Sequence, residues 1–167
     1  MKVLLNLGAG ARLAGPPGEG WEVWNHDLYQ HRPEINAVCN LDVIPWPWQD
    51  ESIDAICAWS VFEHLRITPM QAFNECWRIL RKGGNLEVKM PLYDVPAYLP
   101  NGQANEQEPH NDLTHRWYVG HRGWDGLDPD TSRGAEYDFY ERRPWRILSQ
   151  NEVPGGSSLY GRLEPRK

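Results

Sequence analysis

The apolar positions of this chain first gather in a short run. Residues 2–7, KVLLNL, are followed by two glycines separated by one alanine. A brief apolar run bounded by glycine predicts a buried strand. WEVWNH at 21–26 alternates aromatic or β-branched residues with polar ones and predicts a second strand ending at Asp27. AVCNL at 37–41 and IDAICAW at 53–59 predict a third and a fourth, and NLEVKMPL at 85–92 alternates as a fifth. The period changes between them. Met70, Phe73, Cys76, Trp77 and Leu80 recur at spacings of three and four, which predicts a helix over 69–82. Thr68 is its N-cap, Pro69 its first residue and Gln71 the capping-box partner. Arg81 and Lys82 suit the negative end of its dipole, and Gly83-Gly84 stops it. From Tyr93 to about Arg133 periodicity vanishes. EYDFYERRPWRIL at 136–148 and SLYGRLEP at 158–165 then read as closing strands.

Strands alternating with crossovers and a helix predict an α/β fold around a mainly parallel sheet with flanking helices. The first crossover departs from that plan. ARLAGPPGEG at 11–20 holds two prolines and three glycines, so its helix is expected to be shortened or missing. Residues 1–167 read as a single domain: a ligand-binding core over 1–92, an irregular segment over 93–135, and closing strands over 136–167. Parallel sheets take ligands beyond the carboxyl ends of their strands.

Composition narrows the choice. The net charge is −6; residues 1–115 carry eight basic and fifteen acidic side chains, and residues 116–167 carry nine and eight. Neither half offers the concentrated positive surface that duplex nucleic acid requires. No apolar run reaches membrane-spanning length, and the N-terminal run is too short for a signal peptide, so a cytoplasmic protein is expected. Cys39, Cys57 and Cys76 have no metal or redox spacing and read as small buried hydrophobes. Nine tryptophans suggest aromatic walls or core.

Candidate chemistry falls at the predicted strand ends. Gly8 and Gly10 would let backbone approach a ligand closely. Asp27, nineteen positions after Gly8, could accept both hydroxyls of a ribose. Asn40, Leu41 and Asp42 end the third strand, where a polar side chain beside a backbone N–H can read an adenine edge. Trp59 and Ser60 end the fourth. A glycine pair alone is often only a turn, Asp27 alone a helix cap, Asn40 alone a turn residue. Their order and spacing together carry the reading.

These stretches, with "SVFEHL" and "WRILRKGGNLEVKMP", resemble class I S-adenosylmethionine-dependent methyltransferases, particularly the compact type-11-like group. The resemblance covers residues 2–92 and implies a Rossmann-like fold. It implies that Gly8, Ala9 and Gly10 face the methionine part of the cofactor and that Asp27 holds the ribose. Asn40 and Leu41 would read the adenine, with Asp42 the neighbouring alternative, and Trp59 and Ser60 would floor the pocket. The chain departs from the pattern where the family has an acid before the glycine loop; here Asn6 stands. The short crossover leaves the methionine end open, or covered by a second copy or a protein partner.

Methyl transfer needs a base only when the nucleophile is protonated. His64, Asp112 and His115 are the candidates, with Tyr93 and Tyr118 as orienters. His110, Asp112, His115 and His121 fit no zinc spacing, so no metal is expected. A DNA amino-methylase motif and a Pro-Cys nucleophile are absent, which leaves a small-molecule or biosynthetic-intermediate acceptor. Two rivals stand beside this reading. A nicotinamide oxidoreductase would have a third glycine where Leu13 stands. A non-catalytic module of the same fold would bind the cofactor, or nothing, and act with a partner.

Overall fold

Val3, Leu4, Leu5 and Leu7 are buried in β1 (Lys2–Leu7), an interior strand of a seven-stranded sheet. The computed structural model describes residues 1–95, 103, 112–136, 141–154 and 157–167. The other strands are β2 (Trp21–Asp27), β3 (Ile35–Val38), β4 (Ile53–Trp59), β5 (Leu80–Pro91), β6 (Trp145–Glu152) and β7 (Ser158–Pro165). Their order is β3-β2-β1-β4-β5-β7-β6. The first five run parallel, and β7 lies antiparallel to both β5 and β6. This is the Rossmann-like, mainly parallel α/β sheet expected. No helix among the described residues is long and apolar enough to cross a membrane.

The flanking helices are few. Among the described residues only α1 (Pro69–Ile79) and the five-residue α2 (Ser132–Glu136) are α-helical. The Thr68–Gln71 capping box forms as expected. The helix ends earlier than its periodicity suggests. Leu80 is already extended, and the chain passes straight into β5. Register explains this. Leu80 pairs with Ile53 and Asn85 with Ala55, so residues 81–84 bulge out. The Arg81 guanidinium is pulled onto Asp54 at 2.7 Å and Glu51 O at 3.0 Å instead of finishing the helix. At Gly84 a Cβ would stand 2.8 Å from Asp54 O, so only glycine fits the bulge. β3 lies two residues earlier than expected because Ile35, fully buried, is its anchor. α2 occupies part of the segment expected to be irregular. The expected strand over 136–148 begins only at Trp145, just after Pro144, and runs on to Glu152; residues 137–140 of it lie outside the described ones.

The missing crossover helix is replaced by two carboxamides. Residues 8–20 contain no helix. Asn6 Nδ2 donates to Asn25 Oδ1 at 2.8 Å and to Arg12 O at 3.0 Å. Asn25 Oδ1 accepts from Ala14 N, and Asn25 Nδ2 donates to Ala14 O. Backbone that would bond within a helix is thereby satisfied from the sheet. A carboxylate at position 6 would face two acceptors, which accounts for Asn6. The crossover from β3 to β4 is also non-helical. Arg78 on α1 pins it, donating to Trp46 O, Trp48 O, Asp50 and Glu75.

The two faces of the sheet differ. Leu5, Leu7, Ile56, Ala58, Leu86, Val88, Met90 and Leu163 join Phe62, Phe73, Cys76, Trp124 and Trp145 in the core. On the opposite face one register row reads Asn25, Asn6, Cys57, Glu87, Arg162. That polar row borders a cavity where the first crossover helix would lie.

Asn6→Asp is expected to destabilise the fold by about 2 kcal/mol, since it turns a buried donor into a charge facing acceptors. Urea unfolding at pH 7 measures this; stability equal to the parent would mean that the clamp contributes nothing.

Candidate functional site

The carboxyl ends of β1, β2 and β3 meet around His26. This side chain is 2% exposed. Gly8 N lies 3.4 Å from His26 Nδ1, and His26 Nε2 lies 3.0 Å from Cys39 O. A neutral ring that accepts from Gly8 and donates to Cys39 therefore ties the three strand ends together. Trp48 packs edge-on against it, with centroids 5.5 Å apart. Burial holds the His26 pKa below its ordinary value, outweighing the Cys39 carbonyl and Asp27. The sequence reading treated His26 only as a strand position. An ionisable residue at an inward-facing position beside Asp27 was the signal available.

The glycine loop bends sharply above this ring. Gly8 has φ +58°, and a Cβ there would meet Val61 Cγ2 at 2.7 Å. Gly10 also has positive φ, and its N–H donates to Asp27 Oδ2 at 2.9 Å. Asp27 Oδ1 accepts from Leu28 N at 2.7 Å. The carboxylate is thus oriented, with its side chain 24% exposed and further lone pairs to offer.

Two cavities adjoin at Gly8 and Ser60. One, of about 320 Å³, is lined by Asp27, Asn40, Leu41, Asp42 and His64, with Gly8 and Ser60 at its edge. The other, of about 660 Å³, is lined by Gly8, Ala9, Gly10, Trp59 and Ser60, together with Arg12 and Lys89. All nine positions expected to hold a cofactor therefore line one cavity or both. Asn40 Oδ1 accepts from Asp42 N, leaving that oxygen's other lone pair and the amide nitrogen for a base edge. Asp42 commits one carboxylate oxygen to Arg66 N and Ile67 N, bracing the lead into α1. Trp59 is 43% exposed. The residues fit a nucleoside with an aliphatic tail: an acceptor carboxylate for hydroxyls, an amide for a base, and a glycine bend for close backbone approach.

The three candidate acceptor-side residues also come together. Residues 112–119 dock onto the 3₁₀ turn Phe62–His64, with Arg116 N donating to Glu63 O and Trp117 Nε1 to Leu65 O. Val119 N donates to Pro91 O at the end of β5. This places the His64 and His115 rings 4.8 Å apart. Asp112 joins them: its Oδ1 accepts from Thr114 Oγ1, which faces His64 Nδ1 at 2.8 Å, and its Oδ2 lies 3.5 Å from His115 Nε2. Tyr118 packs edge-on against His115. Burial, then the His115 ring, lowers the His64 pKa. The Thr114 hydrogen bonds hold the Asp112 carboxyl below its usual range. His121 lies apart, between Asp94 and Glu152, and His110 lies outside the described residues.

Glu63 completes this cluster and was not anticipated from sequence. It is 1% exposed, and burial pushes its carboxyl up to about 7. Its position beside the candidate base His64 is the sequence signal available.

Residues 23–88 match the family described as a methyltransferase domain. The match spans less than half of the chain. No curated protein matches the sequence. Solved structures are similar in fold. A chain from the complex between the Haloferax volcanii Trm112 methyltransferase activator and a methyltransferase superimposes with TM-score 0.59 at 16% identity, covering 99% of this chain and 83% of that one. A methyltransferase from Aquifex aeolicus gives 0.54 at 15%, covering 99% and 82%. The [4+2]-cyclase SpnF gives 0.61 at 12%, covering 98% and 75%. The strand order of this chain, with its antiparallel β7, is the one typical of the methyltransferase fold. The Aquifex aeolicus protein is S-adenosylmethionine-dependent.

Because His26 is held neutral, the folded state resists protonating it. The unfolded chain binds that proton more readily, so stability is complete above about pH 6.5 and is lost as pH falls below it. His26→Gln is expected to flatten this acid-side slope. Melting temperatures of both proteins from pH 7.5 to 5 test it; parallel slopes would count against the buried neutral ring.

Proposed function

We propose that this chain is a methyltransferase that moves the methyl group of S-adenosylmethionine to a small molecule or biosynthetic intermediate by direct displacement. The observation that supports it most is the convergence of Gly8, Asp27 and Asn40 on one cavity that continues past Ser60 toward His64. Bound there, the cofactor supplies a methyl group already activated by its sulfonium and leaves as S-adenosylhomocysteine.

The chain's own work is then alignment and exclusion of water. Asp27 accepts from the ribose hydroxyls. Asn40 and the Leu41 backbone meet the adenine. Gly8, Ala9 and Gly10 carry the methionine part, and Trp59 and Ser60 close the floor. On the acceptor side His64 and His115 receive the proton that a hydroxyl or amine acceptor gives up, with Asp112 orienting both rings. The segment over 93–135 is the acceptor-side part of a single domain.

A second reading is favoured by one observation. The cavity beside Arg12 and Trp59 lies where the first crossover helix is missing. A partner covering that end would make this chain one half of an active pair, or a cofactor-binding module without turnover of its own. That a similarly folded chain is found with an activator is consistent with it.

S-Adenosylhomocysteine at a hundredfold excess over Kd is expected to stabilise the chain by about 2.7 kcal/mol, and NAD to leave it unchanged. Asp27→Ala is expected to abolish most of that gain while the unliganded protein stays folded. Thermal shift and calorimetric titration decide; an Asp27→Ala protein with full affinity would remove Asp27 from the site. His115→Ala is expected to lower kcat by about 100-fold or more with S-adenosylhomocysteine affinity nearly unchanged. Equal loss of both would contradict its placement on the acceptor side.

A further inference from the structure

We infer that Glu63, His64 and His115 form a binding site for one divalent transition-metal ion of the zinc type. One ligand atom from each of the three lies within 4.8 Å of the other two. Donors on a single ion stand roughly 3–4 Å apart, given bonds of about 2.0–2.2 Å, so small side-chain rotations complete the set. Two imidazoles and a carboxylate are the donor class of open zinc and non-haem iron(II) sites, and they discriminate against magnesium and calcium, which take oxygen ligands.

A second observation points the same way. Glu63 is buried, and among the described residues its Oε2 has no hydrogen-bond partner; His115 Nδ1 is buried and equally without one. Polar atoms sealed from water in this way ordinarily find a partner. The surroundings supply the outer shell that metal sites require. Thr114 Oγ1 gives its hydrogen to Asp112 Oδ1, so it accepts from His64 Nδ1–H. The His64 lone pair is therefore left on Nε2. Asp112 Oδ2 faces His115 Nε2, which leaves that lone pair on Nδ1, the unpartnered atom. One carboxylate thus sets both tautomers, as carboxylates behind metal-bound histidines do. The ligands arrive from two segments fifty residues apart, docked by Arg116 N on Glu63 O and Trp117 Nε1 on Leu65 O. That docking has a purpose if the two segments must share an ion. His64 also lines the Asp27 cavity, so the ion stands at the border between cofactor and acceptor. A metal there lowers the pKa of an acceptor hydroxyl, and the pair serves as ligands where, without metal, it serves as base.

The site goes beyond the cofactor reading and is tested without it. The full chain is stripped with a chelator and titrated calorimetrically with Zn²⁺ alone. One equivalent per chain is expected. Glu63→Gln and His115→Ala should each weaken binding by at least 100-fold, and Asp112→Asn by about 10- to 100-fold. His121→Ala, at the separate exposed cluster, should leave binding unchanged. Co²⁺ should give the ligand-field absorption of a low-coordinate nitrogen site, and Mg²⁺ should not compete. The proposal is overturned by binding well below one equivalent, by full affinity in Glu63→Gln and His115→Ala, or by loss confined to His121→Ala. Should those variants fail to fold, diethylpyrocarbonate footprinting of the unaltered chain decides. Zn²⁺ must protect His64 and His115; protection only of other histidines overturns the site. A stabilisation by S-adenosylhomocysteine that survives such a failure would leave the cofactor reading intact.

Discussion

Two amide side chains stand where a helix is missing, and the ligand-binding end of the molecule depends on them. A parallel sheet needs a crossover between neighbouring strands, and a crossover must satisfy its own backbone groups. Residues 8–20 are too rich in proline and glycine to do so as a helix. Asn6 and Asn25, paired across β1 and β2, do it from the sheet by bonding Arg12 O, Ala14 N and Ala14 O. The glycine bend, the Gly10–Asp27 bond and the His26 tie are all built on that fixed turn. Arg78 plays the equivalent part for the crossover from β3 to β4.

The economy has a consequence for the site. A helix on that face would close the cavity beside Gly10, Arg12 and Trp59; its absence leaves about 660 Å³ of space there. The polar row through Asn6, Cys57, Glu87 and Arg162 faces the same space, so the sheet is built with one apolar and one polar face. Parallel sheets are usually apolar on both faces because helices cover both. Here one covering layer is largely absent among the described residues, and the composition of the strands matches that.

The opposite end of the site is assembled differently. The His64 turn belongs to the crossover after β4, whereas His115 and Asp112 come from the aperiodic segment. Two backbone or indole N–H donors hold them together. The result is a cluster of titratable groups around one buried member: a Glu63 carboxyl pushed up to about 7 by burial, beside a half-buried histidine held below its ordinary value. His64 lines the same cavity as Asp27 and Ser60, so the two ends of the site adjoin there.

What the sequence settled alone was local. Strands β1, β2, β4 and β7 are read almost to the residue, because a short apolar run or a two-residue alternation is a property of adjacent positions. The capping box and the glycine bend are local in the same way. The end of α1 was not readable, since register with β4 rather than helix propensity starts β5 at Leu80. The late start of β6 and the helix in the aperiodic segment likewise follow from packing. Asn6 stood out in sequence only as a departure; its meaning required Asn25 and Ala14 beside it. Glu63 has no assigned part in the sequence; its part is visible only once the fold brings His115 against its turn. Partners fifty residues apart leave no periodic trace in a single chain, so only the tertiary structure could join them.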